Sequence, residues 1–241
     1  MSRQDDEGKL SRRDFLTLGG AGMAVAAVSP LAHAAEKKAS PPETFMMFPG
    51  NYTWSAAIRG SIATCMYGGA DLGEIYKVCA ALEGKAGDNA VWFEEWKKMG
   101  ERVALLGDQA KGKGYTLTAS AAYMRAANYL QIGERLRQPR TPETQKAYAW
   151  AVELFKKGLP EVPFLSVEAV EVPFEGGKSL PGYFAKKAGA EGIRWPTVVF
   201  FDGLDVTKEI QYFRGVSELA KRGMGCLILD GPGNGERIHW N

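Results

Sequence analysis

Two short stretches place acids and glycines directly after apolar runs. The first is Asp202-Gly203-Leu204-Asp205, following Val198–Phe201; the second is Asp230-Gly231-Pro232-Gly233-Asn234-Gly235-Glu236, following Leu227–Leu229. Carboxylates in such places move protons or accept backbone N–H groups, and a glycine lets backbone approach a ligand with no Cβ in the way. Asp202 reads as a turn former. Asp205 is open between an N-cap for the following helix and an acid that handles a proton. Gly231, Gly233 and Gly235 let the chain reverse tightly, while Asp230 and Glu236 accept backbone N–H groups that the turn leaves free. Lys208 and Glu209 read as surface or rim charges of a first helical turn.

Other chemistries are excluded by pattern. G-P-G-N-G is neither the phosphate-cradling G-x-x-x-x-G-K-[ST] nor the dinucleotide fingerprint, so the second stretch reads as a structural turn bordering a pocket. Cys65, Cys79 and Cys226 show no C-x-x-C or metal spacing and read as small buried hydrophobes, with a Cys65–Cys79 pair left open in an oxidising compartment. Neither a metal nor an organic cofactor is expected. The net charge of +2 comes with no run of like charges, which argues against nucleic acid as a partner. A serine nucleophile in G-x-S-x-G is absent; Gly215-Val216-Ser217-Glu218-Leu219 lacks the second glycine and falls in a helical stretch.

The elements that must position these turns follow from periodicity. Residues 45–159 read as helical. Val91, Trp92, Trp96, Met99, Val103 and Leu106 form one buried stripe, with Asp88 or Asn89 as N-cap and Gly112 or Gly114 as the stop. Ala119, Ala122, Tyr123, Ala126, Ala127, Tyr129 and Leu130 form a second, whose alanines admit a neighbouring helix closely. Thr141 and Pro142 open a third helix that ends at Lys156, Lys157 and Gly158. Residues 160–241 change to strand signals. The run Leu165–Gly177, with Val167, Ala169 and Val172 alternating with polar neighbours, and the stretch Lys178–Lys187 pair as a hairpin across Gly176-Gly177, with Pro181 placing the second strand at an edge or bulge. Thr197–Phe201, a helix from Thr207 to Lys221, and the run before Asp230 form a β-α-β crossover in a parallel sheet covered on both faces. The fold class is thus α/β, with an all-helical domain preceding the sheet. Ligands of such sheets bind beyond the carboxyl ends of the strands, where both acid-glycine turns fall.

The hairpin with Leu180-Pro181-Gly182-Tyr183-Phe184, the Gly203-to-Glu209 "GLDVTKE" and the Asp230-to-Glu236 "DGPGNGE", preceded by "RAANY" at Arg125–Tyr129, resemble the α/β-hydrolases grouped with dihydroxypseudooxynicotine hydrolase and the FrsA-like and acyl-peptidase-like esterases. The resemblance runs from about Phe45 to Asn241. It implies that Gly203 and Leu204 belong to the loop giving a backbone N–H to an oxyanion hole, and that Asp205 stands where the nicotine-degrading hydrolase has a catalytic glutamate. It also implies a serine, acid and histidine following in chain order, with none of the three inside these residues; His239 comes too early to be the triad histidine. The expectation is therefore a C-terminally truncated hydrolase, inactive as the given fragment, whose full form attacks an ester, amide or ketone carbonyl of a small molecule.

Ser11-Arg12-Arg13-Asp14-Phe15-Leu16, a Gly/Ala-rich apolar stretch and Ala32-His33-Ala34 resemble a twin-arginine export signal. The expected organisation is a signal at 1–34, a linker at 35–44, a helical cap-like domain at 45–159 and a partial hydrolase domain at 160–241. The Tat translocase and a second copy of the chain are expected macromolecular partners, and the destination is periplasmic or secreted. The alternative from another class is a non-catalytic exported protein that binds a ligand or partner in the aromatic groove of its helices.

Overall fold

The structure is a computed structural model and describes residues 45–189, 192–203 and 205–237. The expected signal with Arg12 and Arg13, the linker, Leu204 and His239 lie outside the described residues.

Helices come first: α1 (Tyr52–Thr64), α2 (Leu72–Ala81), α3 (Asn89–Gly112), α4 (Thr116–Arg135) and α5 (Pro142–Gly158). Asp88 caps α3 by accepting from the N–H groups of Ala90 and Val91. Thr141 caps α5 in a reciprocal capping box with Thr144, and Pro142 occupies the first turn, where its missing N–H costs nothing. Thr141→Ala should lower stability by about 1 kcal/mol, read as a shift of the urea midpoint at unchanged slope.

The helical core is aromatic. Trp54, Trp92, Trp96 and Tyr129 form a chain of ring contacts with centroids 4.9, 5.6 and 5.5 Å apart. All seven expected stripe residues of α4 are buried. On α3, Leu106 is exposed, contrary to expectation, because it falls at the edge of the stripe. Gly107 continues the buried face instead. A Cβ there would lie 2.6 Å from the Tyr123 ring, so the missing side chain is what lets α3 approach α4.

After a 3-10 turn at Leu159–Glu161 come β1 (Leu165–Pro173), β2 (Ser179–Lys187), β3 (Thr197–Phe200), α6 (Lys208–Tyr212), α7 (Val216–Lys221) and β4 (Gly225–Leu229). The sheet order is β1-β2-β4-β3. β1 and β2 form the expected hairpin, β2 pairs antiparallel with β4, and β3 pairs parallel with β4. Phe155 of α5 joins the helices to this sheet, its ring 5.1 Å from Tyr183 and 5.2 Å from Tyr212. Residues from Phe45 onward form one compact unit.

Three expectations are corrected. Pro181 lies in an inner strand, tolerated because the β2–β4 ladder starts at Gly182 and Pro181 contributes only its carbonyl, which accepts from Asp230 N. The helix expected from Thr207 to Lys221 is two short helices, since Gly215 takes φ 101° and breaks it. β4 is largely buried, whereas β3 is an edge strand with Val198, Val199 and the following Phe201 exposed, so the two-sided cover is incomplete at that edge.

Candidate functional site

The turns after β3 and β4 do converge. They border a cleft of about 490 Å³ lined by Leu180, Val199, Phe201, Asp202, Gly203, Leu229, Gly231, Pro232, Gly233 and Asn234. Asn234 ties the two turns together, its Nδ2 donating to the carbonyls of Gly203 at 3.2 Å and Val206 at 2.9 Å. The mixed apolar and backbone lining suits a small molecule presented to main-chain groups.

In the first turn, Gly203 N donates to its neighbour Asp202 Oδ1 at 2.7 Å, and Asp202 Oδ2 pairs with Arg214. Asp202 is thus a turn former fixed from outside, as its position before glycine suggests. Asp205 is exposed and faces Arg135 of α4, with Arg135 Nε 3.7 Å from its Oδ2. It is not among the cleft-lining residues. Nor does it cap the following helix: Thr207 is the N-cap of α6 and accepts from Ile210 N. The cap reading fails because α6 begins three residues beyond Asp205, out of reach of an N-cap side chain.

In the second turn, Gly233 and Gly235 take positive φ and Gly231 does not. Gly235 has a steric reason as well, since a Cβ there would lie 2.0 Å from Asp230 Oδ2. Asp230 accepts Glu236 N at 3.3 Å, as expected of a turn acid, but its other oxygen reaches across to Lys208 N at 2.7 Å. Glu236 ends on an ammonium: Lys208 Nζ lies 2.6 Å from its Oε1.

Lys208 and Glu209 are not surface charges. Their side chains are 1% and 0% exposed, a correction that follows from α6 running inward between the sheet and α4. Lys208 Nζ is 2.9 Å from Glu209 Oε1 and 2.8 Å from Asp230 Oδ2. Burial works against the charge on Lys208, and the carboxylates of Glu209, Asp230 and Glu236 outweigh it, holding the ammonium above its ordinary range. Asp230 is pushed up by its own burial and by Glu209, against the pull of Lys208. Glu209 is completed by Tyr183 Oη, which donates to Oε1 at 2.9 Å, and by Gln131 Nε2 at 3.2 Å to Oε2. Thr207 Oγ1 donates to Gln131 Oε1 at 2.5 Å, so one amide of α4 grips both the cap and the first turn of α6.

No family model matches the sequence. The chain is 30% identical over 204 residues to hydrolase acrC of Aspergillus aculeatus, covering 79% of this chain and 47% of that protein. It is 30% identical over 194 residues to the α/β hydrolase pydG of an Acremonium species, covering 78% and 44% respectively. The crystal structure of 2,6-dihydroxy-pseudo-oxynicotine hydrolase superposes with a TM-score of 0.59 at 24% identity, over 75% of this chain and 48% of that one. The chain shares the fold of an α/β-hydrolase. It spans about half the length of the curated relatives it matches.

Within this α/β-hydrolase fold, the cleft carries the residues expected from sequence at Gly203, Gly231 and Gly233, while Leu204 lies outside the described residues. Sequence reasoning missed Gln131, Tyr183 and Asn234 as partners of the turns. Lys208-Glu209 reads as a surface or rim pair in sequence because burial of consecutive charges is not encoded in local pattern, while Thr207 starts the helix as expected. Among the described residues no group of acids, histidines and cysteines could hold a metal ion.

Proposed function

We propose that the protein is an exported serine hydrolase of the α/β-hydrolase fold, acting on an ester, amide or ketone carbonyl of a small molecule. The observation that carries this reading is the cleft formed by the two strand-end turns, at the carboxyl ends of parallel strands in a fold shared with a hydrolase. In it, the turn at Gly203 and Leu204 supplies the oxyanion side of the site. The nucleophile, acid and histidine come from outside these 241 residues, which contain no G-x-S-x-G. Asp205 is the residue the resemblance puts forward for moving a proton, and in this structure it pairs with Arg135 outside the cleft lining. Arg12 and Arg13 direct the chain to the Tat translocase, with a periplasmic or secreted destination, and a second copy of the chain is its proposed oligomeric partner.

The reading is tested by continuing the coding sequence past Asn241 and assaying both lengths. An in-frame G-x-S-x-G followed by aspartate and histidine is expected, with p-nitrophenyl acetate turned over by the longer protein and not by the 241-residue chain. Turnover by the shorter chain that disappears in Asp205→Ala would place the chemistry elsewhere, and a stop codon without any esterase activity would favour a binding protein.

A further inference from the structure

The two turns that border the cleft belong to different strands, and backbone pairing stops before it reaches them. The β3–β4 ladder ends at Phe200 opposite Ile228, so from Phe201 and Leu229 onward no strand pairing sets the distance between the turns. That distance decides where a carbonyl in the cleft would sit relative to backbone donors. A misplacement of about 1 Å at such a point costs on the order of 100-fold in rate.

Beside the tie from Asn234 to the Gly203 and Val206 carbonyls, a buried chain of charged and polar groups spans the gap. Lys208 bridges it twice, its N–H reaching Asp230 Oδ1 at 2.7 Å and its Nζ reaching Asp230 Oδ2 at 2.8 Å and Glu236 Oε1 at 2.6 Å. Glu209 lies against the same Nζ at 2.9 Å and is held in turn by Tyr183 of β2 and Gln131 of α4. Gln131 also accepts from Thr207, so the helical part of the molecule holds the start of α6 directly. Gly235 leaves the space that the Asp230 carboxylate occupies.

Stability alone does not account for a lysine here. Withdrawing an ammonium and carboxylates from water costs several kcal/mol per ion, and well-packed apolar residues of similar volume often serve a core as well or better. What the charges add is direction: each bond fixes one turn relative to another element.

We propose that Lys208 and Gln131 are positioning residues of the hydrolase site: Lys208 sets the separation of the turns after β3 and β4, and Gln131 lets the helical domain hold that setting. The assignment rests on the hydrolase reading for its catalytic consequence, and on the geometry alone for its structural one.

The test uses Lys208→Met, Lys208→Arg, Gln131→Met and Glu236→Gln in the full-length protein, with p-nitrophenyl acetate as substrate. Lys208→Met and Gln131→Met are expected to lower kcat about 100-fold and about 10-fold, with KM within about threefold and a retained cooperative melt. Lys208→Arg should recover part of the kcat lost in Lys208→Met. A folded Lys208→Met with kcat within about threefold of wild type overturns the proposal, as does a loss of rate that only tracks loss of the cooperative melt across the set. If Lys208→Met does not fold, Gln131→Met and the half-exposed Glu236→Gln decide by the same kcat criterion. Amide exchange separates this proposal from the hydrolase reading. Should the wild type show no esterase activity, faster exchange at the hydrogen-bonded turn amides of Gly203, Val206, Asn234, Gly235 and Glu236 in Lys208→Met, with α3 and α4 unchanged, still supports the positioning device; unchanged exchange at these amides refutes it.

Discussion

Gly235→Ala is expected to destabilise the protein by about 3–5 kcal/mol, while Gly231→Ala, four residues earlier in the same turn, changes stability by less than about 0.5 kcal/mol. The contrast comes from what each new methyl group would meet. At Gly235 a Cβ would lie 2.0 Å from Asp230 Oδ2 and 2.3 Å from its Cγ, at a φ of 52° that L-residues adopt at a cost. The carboxylate cannot step aside, because Lys208 N at 2.7 Å and Lys208 Nζ at 2.8 Å hold it. Displacing it breaks charge-assisted hydrogen bonds and leaves an ammonium that is 1% exposed short of a partner. At Gly231 no atom lies within 4 Å of the added methyl. Paired urea titrations of the two variants measure the difference. Equal midpoints would show that the Asp230 carboxylate is free to move and that the turn is held by something else.

Glu134→Gln is expected to remove the part of the pH dependence of stability between about pH 4.5 and 7 that Glu134 contributes. Glu134 is 1% exposed on α4, and its carboxyl is pushed from the ordinary 4.5 up to about 7 by burial, with Arg140 and Arg135 pulling the other way. Arg140 Nη2 reaches its Oε1 at 3.3 Å, but Oε2 has no hydrogen-bond partner among the described residues. The folded state therefore holds the proton more tightly than the unfolded chain does. Its contribution is fully present below pH 4.5 and is lost as the pH rises through 7, amounting to about 3 kcal/mol across the window. Asp230, also pushed up by burial, acts in the same direction, so the informative quantity is the wild-type curve minus that of the variant. Chemical unfolding at pH 5 and pH 8 supplies it. A variant with the wild-type slope would contradict the assignment. At pH 8 the variant should be the more stable protein, because glutamine keeps the volume and drops the buried charge.

The two turns differ in how much of their role was legible. The acid-glycine turn after β4 is recognisable from its residues, since three alternate glycines after an apolar run have few structural meanings. Its reason is local: Gly233 and Gly235 need positive φ. Asp205 shows the opposite case. Whether an aspartate two residues before a threonine caps a helix depends on where that helix starts, and Thr207 captures the cap. Lys208 and Glu209 show a third. In a pattern-based reading a charged pair in a first helical turn faces water, but α6 enters the space between the sheet and α4, and both side chains are buried.

Local chemistry and periodicity determined α3 and α5 with their caps, the stripe of α4, the Gly176-Gly177 hairpin, the parallel β3–β4 pair and the placing of both turns at strand ends. These depend on repeat spacing and backbone preference, which a linear sequence carries in full. The tertiary structure alone decided which charges are buried and what satisfies them. Lys208 meets Asp230 and Glu236 across 22 and 28 residues, and Gln131 meets Glu209 across 78. No local rule links residues so far apart; they meet because the α4 helix, β2 and the two turns pack on a common interior. There each buried polar group must find its partner from another element.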